Sequence, residues 1–155
     1  MEDKYTDYSK PLGSDDISGA DFVKELLQGE PTYGINFDRI QWDNRHNKYL
    51  IIELLLCEES QSVNPHTSHP NRYFYKNSQK FISLWEVAGK LDANLLLINY
   101  AKKGTKHEDK ILLMHVQDVN PEDTESPVKT KDYMFHSREA FGEYFRELNK
   151  RGRRV

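Results

Sequence analysis

The sequence predicts an α/β fold, more narrowly an α+β domain with helices packed on one mixed sheet, and three observations lead there. Two strand-like runs, Ile35 to Trp42 and Tyr49 to Cys57, flank the polar corner Asp43-Asn44-Arg45-His46-Asn47-Lys48, which reads as the turn of an antiparallel hairpin. The second run is almost wholly apolar, the pattern of a strand covered on both faces. A helical periodicity over 78–92 then separates it from another apolar run, LLLINYA at 95–101. A helix between two buried strands lets them lie parallel through a right-handed crossover.

The elements follow in order. Residues 1–16 are polar, contain Pro11 and Gly13, and read as a flexible N-terminal arm. Ser18 and Asp21 form an S-x-x-D capping box for a helix over about 19–28, with Phe22, Val23, Leu26 and Leu27 on one face and Gly29 and Pro31 closing it. Glu25 lies on this helix and Glu30 just past its end. After the hairpin, residues 58–76 hold Pro65, Pro70 and many turn formers, then the β-prone run Arg72 to Lys76, read as a loop and a short third strand. Asn77 or Ser78 caps the second helix, which carries Phe81, Leu84, Trp85, Ala88 and Leu91 at helical spacing. Beyond LLLINYA, a charged turn at 102–110 leads to a strand from Ile111 to Val119 that pairs back as a hairpin. A polar loop spans Asn120 to Asp132, Tyr133 to Phe135 is a short strand, and Ser137 caps a last helix with Phe141, Tyr144, Phe145 and Leu148. The expected order is helix-strand-strand-strand-helix-strand-strand-helix, a single domain over 17–149 followed by a basic tail at 150–155.

Composition narrows the class. At 155 residues and 37% hydrophobic, the chain can bury one sizeable core. The net charge of -3 gives no global basic field for nucleic acid, so any phosphate contact has to come from a local patch. A lone cysteine, Cys57, excludes an internal disulfide framework and suits a reducing compartment. No run approaches the roughly 18 apolar residues of a membrane span, and the start MEDKYTDYSK lacks the regions of a signal peptide, so a cytoplasmic protein without a membrane partner is expected.

The chemistry centres on Asp38 in the first strand of the hairpin and Glu53 in the second. A carboxylate inside an apolar strand is expensive to desolvate unless a cation meets it. Two carboxylates converging at the rim of a sheet are hard oxygen ligands for Mg²⁺ or Mn²⁺. The competing assignment is a pair of ion pairs, Asp38 with Arg39 or Arg45 and Glu53 with Lys76 or Lys80.

The element order, with Asp38 and Glu53 on consecutive early strands, resembles the PD-(D/E)XK nuclease superfamily, the restriction-endonuclease-like fold, over about residues 18–101. The resemblance implies a mixed sheet flanked by helices and metal-dependent cleavage of phosphodiester bonds, with Asp38 as the first acid and Glu53 as the second. In a strand, positions 53 and 55 share a face about 7 Å apart, and the family's lysine would stand at position 55, but the residue there is Leu55. Lys76 and Lys80 are the available substitutes, as in members whose catalytic side chain comes from a neighbouring element. Glu30 would add a third metal ligand, with Glu25 behind it. Symmetric dimers are common among such endonucleases, which makes a homodimer a possible assembly.

Other features carry less. His66 and His69 form H-x-x-H and, with Cys57, superficially resemble a zinc site, but the loop provides no fourth ligand at a usual interval. Solvated loop histidines and a buried structural thiol are the readings preferred. Arg72, Tyr73 and Tyr75 interleave charge and aromatic rings, a combination suited to a nucleic-acid backbone. No G-x-S-x-G, P-loop or G-x-G-x-x-G occurs. The function expected is a nuclease acting on DNA; the alternative is a catalytically inactive module of the same fold that binds nucleic acid or another protein.

Overall fold

A computed structural model describes Leu12 and residues 15–153. The arm expected over 1–16 lies outside the described residues apart from Leu12 and the start of the first helix, as do Arg154 and Val155 of the basic tail. The chain divides into two compact units between Asn36 and Phe37.

The first unit contains α1, Asp15–Leu27. Ser18 lies inside this helix and not at its cap, so the S-x-x-D pattern does not mark the start. Its end matches the expectation: Gln28 and Gly29 take left-handed backbone angles, φ 50° and 86°, and the Glu30 N–H donates to the Leu27 carbonyl at 2.9 Å.

The second unit is a five-stranded mixed sheet with two helices: β1 Arg39–Asp43, β2 Lys48–Leu56, α2 Phe74–Leu91, β3 Asn94–Tyr100, β4 Ile111–Val119, β5 Val128–Phe135 and α3 Arg138–Lys150. The strands lie in the order β1-β2-β3-β4-β5, with β2 and β3 parallel and the other neighbours antiparallel. Alternation along the strands explains the apolar runs. Ile51, Leu55, Leu95, Leu97, Leu112 and Met114 pack one face against Phe74, Phe81, Leu84 and Ala88 of α2. Leu50, Ile52, Leu96, Ile98, Ile111 and Leu113 line the other, under Phe141, Tyr144, Phe145 and Leu148 of α3.

Two expectations are corrected. Arg72 to Lys76 is not a third strand: Pro70–Arg72 form a 3-10 turn, the His69 side chain accepts from the Asn71 N–H, and α2 begins at Phe74. Phe74 is 1% exposed and stacks on Phe81, so the apolar stripe of α2 starts about one turn before the expected cap. The missing strand appears later, because β5 takes up Val128 to Asp132, which read as loop. Paired to β4 from Ile111↔Phe135 to Val119↔Val128, it is a sheet edge, and the lysines and aspartate that made it look like a loop are residues that protect edges. The order is therefore helix, strand, strand, helix, strand, strand, strand, helix. The basic C-terminal stretch is also docked: Asn44 donates from its backbone to the Arg151 carbonyl at 2.9 Å and from its side chain to the Arg153 carbonyl at 3.2 Å.

Candidate functional site

The β1–β2 hairpin sets the geometry. Its register pairs Arg39 with Ile52, and the Asp38 N–H continues the ladder to the Ile52 carbonyl at 3.2 Å. One further step places Asp38 opposite Glu53, with both side chains on the α2 face. Asp38, an exposed bend residue just before β1, also accepts the Leu54 N–H through Oδ2 at 2.8 Å, which fixes its carboxylate against β2.

Glu53 is 6% exposed. Its Oε1 meets Lys80 Nζ of α2 at 2.8 Å, while Oε2 is buried with no hydrogen-bond partner. Burial pushes the Glu53 carboxyl above its usual range; Lys80 draws it back by hydrogen bond and charge, and the neighbouring Asp38 carboxylate raises it again. The group stays raised overall, with Asp38 close by and a single lysine, on Glu53, set against the two acids. The local charge is short of one cation.

Of the two lysines considered, Lys80 reaches Glu53; Lys76 is exposed in the first turn of α2. Leu55 lies on the face of Glu53, as strand periodicity predicts, but it is 7% exposed and packed in the α2-side core. Arg39 turns to the other face, donating to Gln41 Oε1 at 2.9 Å with its guanidinium 5.4 Å from the Phe145 ring centre. Among the described residues Asp38 forms no ion pair, so the expected pairing with Arg39 or Arg45 does not occur. Glu30 belongs to the N-terminal unit and is exposed beyond α1; Glu25 is exposed on that helix. No group of three or more His, Cys, Asp or Glu side chains suited to a metal ion occurs among the described residues.

Lys80 also borders a cleft of about 600 Å³ at the carboxyl ends of the parallel strands β2 and β3. That end of a parallel pair, where the chain leaves the sheet, is where open α/β sheets place ligands. Arg72 and Tyr73 line the cleft, while Tyr75 points its hydroxyl to the Thr124 carbonyl at 3.4 Å. Burial pushes the Tyr73 hydroxyl up to about 12, so it serves as a donor at neutral pH. Helix α2 is interrupted beside the cleft by Asn77, whose φ of -130° and ψ of 22° are not helical. Asn99, 1% exposed within β3, donates to the carbonyls of Pro65 at 3.2 Å and Ser68 at 2.8 Å and so pins the connecting loop, while its Oδ1 is buried with no partner. Asn99 escaped the sequence reading, although a single amide inside LLLINYA was the available signal.

The remaining candidates resolve as structure. Cys57 is buried; desolvation raises its thiol against the pull of Ser68 and Arg72, so it stays protonated and unreactive. His66 and His69 are not solvated: Nε2 of His66 lies 2.8 Å from the Phe135 carbonyl and Nε2 of His69 lies 2.9 Å from Thr130 Oγ1. These bonds tie the loop to β5. In the charged turn at 102–110, Lys102 pairs with Glu58 at 3.6 Å. No helix among the described residues is long and apolar enough to cross a membrane. No family model, curated protein or solved structure matches the chain.

Proposed function

We propose that this chain is a divalent-metal-dependent nuclease that hydrolyses phosphodiester bonds in DNA, built on a restriction-endonuclease-like core. The observation that carries the reading is the meeting of Asp38 and Glu53 on one face of the hairpin with Lys80 against Glu53. An acidic pair with one buried oxygen lacking a partner matches what Mg²⁺ or Mn²⁺ takes, one or two carboxylates completed by water and substrate phosphate. When bound, such an ion polarises the phosphoryl oxygen and acidifies its water. Asp38 and Glu53 would hold it.

The side chains around the pair have separate tasks. Lys80, 39% exposed and reaching from α2, occupies the role that Leu55 cannot fill: its ammonium offsets negative charge gathering on the phosphate. Arg72 supplies a phosphate contact at the cleft, and Tyr73 an apolar wall with one hydroxyl donor. The Leu54 N–H keeps Asp38 oriented. The topology supports the reading in its antiparallel β1–β2 pair, crossover helix and parallel β3, and departs from it in having no strand between β2 and α2. A cytoplasmic setting agrees with the protonated, unpaired thiol of Cys57.

The test is nicking of supercoiled plasmid DNA with Mg²⁺ or Mn²⁺. Wild type converts it to open circles; Asp38→Asn and Glu53→Gln, both folded, leave it intact. Cleavage unchanged in either variant contradicts the reading. The second reading, a non-catalytic binding module of the same fold, is favoured by Leu55 in the core and by the Lys80–Glu53 pair, which partly neutralises the site without a metal. Retention of plasmid by wild type without nicking under any metal selects it.

A further inference from the structure

The sheet face opposite the acidic pair holds a second hollow, of about 730 Å³, between β1–β5 and the C-terminal half of α3. Its floor is the row Leu50, Leu96 and Leu113, and α3 contributes Leu148 and Tyr144. A single helix of 13 residues covers a five-stranded face, and the floor leucines, packed with α3 in one cluster and only 3–7% exposed, border the hollow beside it. Hollows of this size lined by aliphatic and aromatic side chains with a few polar groups are the usual form of small-molecule sites.

The charged groups around it are not equivalent. Asp43, 3% exposed, is already satisfied: it accepts the Arg45 N–H at 3.0 Å and the His46 Nδ1 contact at 2.8 Å. Burial raises its carboxyl, but those bonds and the charges of His46 and Arg151 hold it below the usual range. Lys48 is engaged with Asp92 at 3.3 Å. Burial lowers His115, helped by His46 and Lys131, so that ring is held towards its neutral form. Arg151, at the end of α3, enters no ion pair among the described residues, although its charge reaches both Asp43 and Tyr144. The Tyr144 hydroxyl, raised by burial, stays protonated as a donor.

We propose that this hollow is a binding site for a small amphipathic anion, an aliphatic or aryl carboxylate whose apolar body lies on Leu50, Leu96 and Leu113 and whose head meets Arg151 and Tyr144. The charge complement favours an anionic head group: a carboxylate accepts from both donors at once, whereas a cation would lie beside the Arg151 guanidinium, with the Asp43 carboxylate already engaged by Arg45 and His46. The site is independent of the acidic pair, which lies on the other face of the sheet.

The test uses octanoate and its neutral counterpart octanol as competitors for the fluorescent probe 8-anilinonaphthalene-1-sulfonate on the native full chain. The expected result is saturable one-site probe binding displaced by octanoate. In Arg151→Gln, octanoate weakens by about tenfold, as loss of one charge-assisted hydrogen bond implies, while octanol is unchanged. Leu96→Trp, with an unchanged circular dichroism spectrum, abolishes both; should it fail to fold, the Arg151→Gln comparison decides alone. Absence of displacement in wild type, or equal octanoate affinity in wild type and Arg151→Gln, overturns the proposal.

Discussion

Asp38 stands opposite Glu53 one step beyond the last β1–β2 pair, and its charge helps hold the Glu53 carboxyl above the usual range even though Lys80 lies 2.8 Å from Glu53. The two acids therefore strain one another in the absence of a further cation, and the consequences can be measured.

The first is a stability gain on removing the charge of Asp38. A carboxyl whose pKa is raised on folding favours the native state at low pH and loses that advantage as pH climbs through the folded value. Asp38→Asn removes part of the rise while keeping an oxygen for the Leu54 N–H. Thermal melts at pH 7 should show the variant level with wild type or up to about 1 kcal/mol more stable, roughly 2–4 °C in Tm. The gain should vanish once the pH falls below the ordinary glutamate range. An equal loss of Tm at both pH values would refute it.

Lys80→Met tests the same balance from the other side. Removing the lysine leaves Glu53 buried beside a like charge, and breaking a buried pair from one end costs about 3–5 kcal/mol. Because the Lys80 side chain is 39% exposed, a loss nearer 1–3 kcal/mol (roughly) is expected at pH 7. Glu53→Gln in the same chain should recover most of it. Chemical denaturation of the single and double variants reads the coupling, and additive effects would mean the pair is not coupled.

Leu55→Lys restores the family's motif lysine but places an ammonium in the α2-side core. We expect a loss of several kcal/mol, seen as a fall in denaturation midpoint, whereas Leu55→Met should stay within about 1.5 kcal/mol of wild type. A stable Leu55→Lys protein would show that the position reaches the acidic pair.

Much of this site was legible in the sequence, and the exceptions have physical causes. The hairpin could be placed from its polar corner and flanking apolar runs, and with it the cross-strand meeting of Asp38 and Glu53, because strand register fixes which side chains share a face. Lys80 followed from its position on the helix that covers that face. Phe74 was misassigned because Arg72 to Lys76 is aromatic and β-prone; only its spacing to Phe81 reveals a helix, and tertiary burial overrode local propensity. In β5, Lys129, Lys131 and Asp132 mask a strand whose pairing partner, β4, supplies the order that its own composition does not. The hollow under α3 depends on how far one helix covers a sheet, which no local pattern encodes.

The central claim is that Asp38 and Glu53 together make a divalent-cation site, and calorimetric titration of Mn²⁺ into wild type and Asp38→Asn measures it directly. The account predicts saturable binding by wild type, a rise in Tm with Mn²⁺ concentration, and loss of both in the variant. No Mn²⁺ binding by folded wild type, or the same affinity in Asp38→Asn, would contradict it.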